Sequence, residues 1–223
     1  MINTIDGIIA AAKGGTTGVI AVAAAHDQPV IEAVVEARRE GIATPILVGH
    51  VSEIESMLSG LNENPADYQI IAGDTDQDCA AKAVVLCAEG KANFLMKGIL
   101  GTADLMRAVF NKEQGLRTSH LTTHCMFYEI PALGKMLILT DGGVNTFPDL
   151  EKKAEILENA AAVLQALGYT SINAACICGA EQVNPKVQST VDADALSKMT
   201  DRWAKYNMQV CGPVALDLAV SKE

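Results

Sequence analysis

The sequence points to an α/β fold built on mostly parallel sheets. Apolar runs and helical patterns take turns from one end of the chain to the other, the rhythm of βαβ units. About half the residues are apolar (49%) while only 4% are aromatic. Alanine and valine therefore fill the core, and such small or β-branched side chains suit helices packed closely on a buried parallel sheet.

Each element follows from local signals. Thr17 to Ala25 reads as a first buried strand, and Pro29 to Glu40 as an amphipathic helix with proline in its first turn and Gly41 past its end. Pro45 to Val48 is a second strand, Ser52 to Leu58 a short helix, and Tyr68 to Ala72 a third strand after a turn at Asn64-Pro65. Asp76 to Glu89 is a helix closed by Gly90. Phe94 to Met96 ends a fourth strand, Gly101 and Thr102 open the next helix, and 111–117 form a polar exit. Two apolar runs, Leu121 to Glu129 and Lys135 to Thr140, are joined by a turn at Pro131 to Gly134 and read as a β-hairpin. A hairpin inside a parallel pattern marks a change of sheet, which places a domain boundary near Gly115 to Thr118 and divides the chain into 1–117 and 118–223. A long helix over Asp149 to Leu167 capped by Gly168, a strand at Asn173 to Cys178, a helix at Asp192 to Met199 and a strand from Met208 to Cys211 into Gly212-Pro213 complete the chain.

Composition narrows the function. A net charge of −10 argues against a nucleic-acid or anionic-membrane partner, because either needs an extended basic surface. No segment has the unbroken apolar length of a membrane span, and the first residues show neither a secretory nor a transit pattern. The six cysteines contain no C-x-x-C pair and no histidine at metal spacing, so they read as buried thiols of a cytoplasmic protein, with no metal site. Cys176 and Cys178 should share one face of their strand.

The stretch Phe94 to Phe110 carries the main chemical signal. Lys97 and Gly98 leave a strand, and Gly101 and Thr102 open a helix whose first amides lack partners inside the helix. The helix dipole, the lysine charge and glycines that let backbone approach a ligand together make a seat for phosphate, with Arg107 one turn on. The same residues also fit a plain turn, an N-cap at Thr102 and an exposed Asp104–Arg107 pair. A second cluster, Thr140 to Asn145, follows a strand end, where ligands of parallel sheets collect; Asp141 and Asn145 are candidates, or else a turn and its local brace. Glu181 and Asn184, with Lys186, follow another strand. Glu181 and Lys186 fit a solvated pair equally well. His124, in a strand with His120, is a candidate for bonding a substrate oxygen, although a satisfied core or hairpin histidine is the more common outcome.

The segments MKGILGTADLMRAV, LTTHCMFYEIP, LTDGGVNTFPDLEKKAEIL, EQVNPKVQSTVDADALSKM and CGPVALDLAVSKE, in this order, resemble the phosphate acetyltransferase and phosphate butyryltransferase family. The earlier run VIAVAAAHDQPVIEAVVEARREGIATPILVG matches too. The MKG-x-x-x-T turn and the lack of a longer insertion place the chain nearer the butyryl branch. The resemblance implies two α/β/α domains of the isocitrate/isopropylmalate dehydrogenase type with a cleft between them. It implies acyl transfer between coenzyme A and inorganic phosphate, no bound cofactor or metal, and a homo-oligomer. Lys97, Gly98, Thr102 and Arg107 would line the phosphate end, with Asp141 to Asn145 and Glu181 to Asn184 facing the cleft. The family's serine-arginine-x-aspartate motif lies beyond the point where this sequence stops, so the catalytic residues are unassigned. The alternatives are a shortened phosphate- or coenzyme-binding module and a dehydrogenase of the same fold.

Overall fold

The structure, a computed structural model, describes residues 1–131 and 134–220. It divides into two compact units. One comprises Ile9–Ser119, and the other His120–Glu223 together with Met1–Ile8. The sequence reading assigned residues 1–117 to a first domain, whereas the first eight residues pack with the later part of the chain. The Ile2 amide donates to Leu167 O at 2.9 Å and the Ile5 amide to Glu129 Oε2 at 2.9 Å. Ile5 starts helix α1 (Ile5–Lys13), which the sequence reading left without an element.

The N-terminal unit is a three-layer α/β/α sandwich. Strands β1 (Gly18–Ala23), β2 (Ala43–Gly49), β3 (Gln69–Ala72) and β4 (Phe94–Lys97) form one parallel sheet in the order β3-β2-β1-β4. Strand alternation decides what each face packs against. Val22 and Leu47 meet Ile31, Val34 and Val35 of α2 (Gln28–Arg39) and Ile54 and Leu58 of α3 (Val51–Gly60). Ala21, Ala23, Ile46 and Val48 face the other way, onto Cys79, Ala80 and Ala83 of α4 (Asp76–Ala88) and Leu105 of α5 (Thr102–Val109). The alanines of β1 let α4 and α5 approach closely, which is why this core needs so few aromatics. Helix ends follow the sequence signals. Pro29 sits in the first turn of α2, Thr75 Oγ1 caps α4 by accepting from the Asp78 amide, and Gly41 and Gly90 take positive φ past the ends of α2 and α4.

In the C-terminal unit β5 (Met126–Ile130) and β6 (Lys135–Leu139) pair antiparallel. Within the expected turn Pro131 to Gly134, 132 and 133 lie outside the described residues. The hairpin is shorter than the sequence implied, because 121–125 is irregular backbone. Its amides and carbonyls bond side chains instead of a strand: Asn159 Nδ2 donates to Leu121 O at 2.8 Å, and Thr140 Oγ1 to His124 O at 2.6 Å. Strands β7 (Ile172–Ile177) and β8 (Met208–Val214) pair in parallel. Their inner face packs on α6 (Leu150–Ala166), α7 (Gln188–Ser197) and α8 (Thr200–Ala204) through Ala154, Ala161, Ile172, Leu196, Trp203 and Met208. The buried Trp203 indole donates to Leu196 O at 2.7 Å, so its polar edge is satisfied inside the core. A short helix α9 (Leu216–Val220) follows β8.

Candidate functional site

All four strands of the N-terminal sheet run the same way, so α2, α3, α4 and α5 all begin at its carboxyl edge and point their dipoles there. β1 pairs with β2 on one side and β4 on the other. The chain therefore reverses its direction of travel at β1, and the β1–β4 junction is a topological switch point, the place where open α/β sheets bind ligands. The edge is not uniform. Asp74, Asp76 and Asp78 gather where β3 meets α4, while Lys97 stands at the end of β4. An anion is better tolerated at the β1–β4 end.

Gly98 is buried, and its amide donates to Ala23 O at 2.8 Å while the Ile99 amide donates to Ala24 O at 2.9 Å. A Cβ on Gly98 would overlap the Ala24 carbonyl oxygen and lie 2.6 Å from Ala23 O. The sequence reading gave this glycine to a ligand's approach. Its close approach to the end of β1 is itself enough to require a glycine there. Gly101 is the N-cap of α5 and supplies no capping side chain; a Cβ there would meet only Asp104 Oδ2, at 3.2 Å. Thr102 is the first helical residue, and among the described residues its amide and that of Ala103 meet no acceptor. The Lys97 ammonium lies back along the turn, 3.3 Å from Gly98 O. Arg107 is not drawn into this corner. It pairs with Asp104 Oδ1 at 2.7 Å with its side chain 69% exposed, and Gln77 Nε2 holds the same oxygen at 3.0 Å.

Two histidines that the sequence reading passed over stand at the same carboxyl edge, after β1 and β2. The rings of His26, after β1, and His50, after β2, stack with centroids 3.9 Å apart at 15°. Their signal was a polar residue directly past the apolar end of each strand.

In the C-terminal unit Asp141 closes a loop on itself. Its Oδ1 accepts from the amides of Val144 at 2.8 Å, Gly143 at 2.9 Å and Asn145 at 3.3 Å. Its Oδ2 accepts from Asn145 Nδ2 at 2.7 Å and the His124 amide at 3.0 Å. Burial alone would push this carboxyl up, but those donors outweigh it and hold the group well below the usual carboxylate range. Asn145 Nδ2 also reaches Thr122 O at 2.9 Å. Both residues thus act as braces that shape the loop. The His124 ring lies against Gly142 and Gly143, and its buried Nδ1 has no hydrogen-bond partner among the described residues. The expected strand alternation of His120 and His124 does not occur, because neither lies in a strand.

Glu181 and Asn184 are exposed in the loop after β7. Asn184 Oδ1 accepts from the Lys186 amide at 3.0 Å, and the buried Thr190 anchors the loop through Asn184 N at 2.9 Å. No ion pair to Glu181 is present among the described residues. An open cavity of about 750 Å³, unforeseen in the sequence, lies among Phe147, Leu150, Lys153, Val191, Asp192 and Ala195. Lys153 Nζ meets the buried Asp192 Oδ2 at 2.6 Å there, and Gln188 Nε2 meets Oδ1 at 2.8 Å. Among the described residues no set of three or more histidines, cysteines or carboxylates could hold a metal ion. All six cysteines are free thiols, and burial pushes that of Cys176 up to about 11. Cys176 continues the inward face of β7, while Cys178 lies past the strand's end.

Residues 68–223 match the family described as "Phosphate acetyl/butaryl transferase". The chain belongs to the phosphate acetyl/butyryl transferase family. It is 41% identical over 223 residues to a phosphate butyryltransferase of Clostridium acetobutylicum, covering the whole of this chain and 74% of that protein. A phosphate butyryltransferase of Clostridium beijerinckii is 39% identical over the same span, again 74% of its length. Among solved structures, a branched-chain phosphotransacylase from Enterococcus faecalis V583 superposes with a TM-score of 0.75 at 28% identity, covering 91% of this chain and 70% of that one. These relatives are acyltransferases, and the dehydrogenase alternative is without support. The family match spans both loop constellations, from the Lys97 turn to the Asn184 loop.

Proposed function

We propose that this chain transfers an acyl group, butyryl or acetyl, between coenzyme A and inorganic phosphate. The observation that carries the proposal is 41% identity across every residue to a phosphate butyryltransferase. The β4–α5 turn supports it, since it offers two unpaired amides and a lysine where an oxyanion can sit. In one direction the coenzyme A sulfur attacks the acyl-phosphate carbonyl, a C–S bond forms, the C–O bond to phosphate breaks, and phosphate leaves with its charge. In the other direction a phosphate oxygen attacks the thioester carbonyl and the thiolate departs.

In this reading Lys97, Gly101 and Thr102 hold the phosphate. Amides fixed on a helix need no reorganisation when charge develops on the leaving oxygen. Arg107 joins them only by giving up Asp104, a small rearrangement for an exposed pair. In the second unit, taken by itself, His124, on a loop shaped by Asp141 and Asn145, is the candidate for bonding a substrate oxygen, and Glu181 and Asn184 are candidates for further contacts. The six free thiols support a reducing, cytoplasmic setting. Exposed apolar residues such as Phe147, Met126 and Leu216 support a homo-oligomer. No helix among the described residues is long and apolar enough to cross a membrane.

The test is phosphate-dependent loss of the thioester of butyryl-CoA or acetyl-CoA. Loss proportional to enzyme and phosphate supports the proposal. Folded protein that consumes neither thioester in the presence of phosphate overturns it.

A further inference from the structure

Three features of the carboxyl edge converge on His26. The first is position. Loop 24–27 follows β1 at the switch point, and the 98–101 turn is tied to its start by the hydrogen bonds from Gly98 to Ala23 O and from Ile99 to Ala24 O. The second is rigidity. The His26 ring is stacked on His50, whose Nδ1 is bonded to Glu53 Oε1 at 2.8 Å. Gly49 leaves room for it, since a Cβ there would lie 2.6 Å from His26 Nδ1. The third is chemistry. The backbone N–H of His50 approaches His26 Nδ1 at 3.5 Å, so Nδ1 is the acceptor and the ring proton is assigned to Nε2. Because Nδ1 faces the end of β2, the opposite edge of the ring is turned away from β2.

We propose that His26 touches substrate, its Nε2–H donating to a phosphoryl oxygen of the phosphate or acyl phosphate seated on the β4–α5 turn. This rests on the acyl-transfer reading above and adds a second wall to its phosphate site. Burial, and then the neighbouring His50, hold the His26 pKa below the ordinary imidazole value against the pull of Glu53, Asp76 and Asp27. The ring is therefore neutral at neutral pH. A neutral donor recognises the oxyanion without adding a fixed charge to that of Lys97, and its N–H is not lost as pH rises.

The experiment compares His26→Ala, His26→Gln and His50→Phe in the full chain. Three quantities are read: KM for phosphate against KM for butyryl-CoA, phosphate affinity by calorimetry, and the His26 imidazole NMR signals of the wild-type protein during titration with inorganic phosphate. A hydrogen bond to a charged group predicts a roughly tenfold or greater rise in phosphate KM and Kd for His26→Ala, with KM for butyryl-CoA unchanged. His26→Gln places an amide N–H near the Nε2 position and restores most of the loss. His50→Phe keeps a stacked ring and the backbone N–H, and leaves phosphate binding as it was. In the wild type, phosphate shifts the His26 signals saturably.

Unchanged phosphate affinity in His26→Ala, an equal rise in both KM values, a glutamine variant no better than alanine, or unmoved His26 signals would each overturn the assignment. If His26→Ala fails to fold, the wild-type titration decides alone. Protein that binds phosphate and shifts the His26 signals but turns nothing over sinks the acyl-transfer reading and leaves His26 standing.

Discussion

Gly98→Ala is the sharpest probe of the β4–α5 turn, because its cost follows from backbone geometry. The new Cβ would overlap the Ala24 carbonyl oxygen and lie 2.6 Å from Ala23 O. Neither atom can retreat cheaply, since Ala23 and Ala24 are fully buried and Ala24 already holds a φ of 56°. The turn itself must lift, stretching the bonds from Gly98 to Ala23 O and from Ile99 to Ala24 O. Two hydrogen bonds at about 1 kcal/mol each, with about 1–3 kcal/mol of overpacking, give a loss of about 3–5 kcal/mol. Gly101→Ala in the same turn is the control. Its backbone has φ −63° and ψ 136°, which alanine accepts, and the loss should stay near 1 kcal/mol or below. Because the only tryptophan, Trp203, sits in the other unit, its emission would report the wrong transition. Urea unfolding followed by far-UV circular dichroism, with hydrogen exchange at the Gly98 and Ile99 amides, reads the right one. A Gly98→Ala loss below about 1 kcal/mol, or one no larger than that of Gly101→Ala, would refute the reasoning.

Three further outcomes are expected. Asp141, whose folded pKa is depressed, stabilises the protein above its unfolded value of about 4, and this contribution is lost as pH falls toward the folded value. Asp141→Asn should therefore cost about 2 kcal/mol at pH 7, from weakened bonds to a former charge, and the gap to wild type should narrow below about pH 4, read by Trp203 emission in urea. Lys153→Ala leaves the buried Asp192 carboxylate with Gln188 alone and should destabilise by roughly 3 kcal/mol, whereas Lys198→Ala, from an exposed i,i+4 pair with Asp194, should match wild type in the same assay. Alkylation mapped by mass spectrometry should label exposed Cys211 first, with Cys176 and the fully buried Cys79 reacting only when urea opens their units; early labelling of either would count against the burial described.

Local periodicity was enough to find the strands of the parallel sheet and the helices that follow them, and short-range signals closed them: Pro29 and Gly41 around α2, Thr75 and Gly90 around α4, Asp149 and Gly168 around α6. Such signals act within one turn of helix, so they are written in neighbouring residues. The family was legible too, because its motifs are contiguous. Where local pattern misled was at 121–125, whose apolar residues suggested strand while their backbone partners are Thr140, Asp141, Asn145 and Asn159 side chains from distant parts of the chain.

What the sequence determined by itself was the alternation of elements and the parallel class of the main sheet. Tertiary structure alone decided the order β3-β2-β1-β4 that puts the switch point between β1 and β4, the use of Gly98 against Ala24, the pairing of Arg107 with Asp104, and the stacking of His26 on His50. Each of those depends on which strands lie side by side, and strand order is set by non-local burial and pairing energies that leave no mark on the residues immediately around any one position.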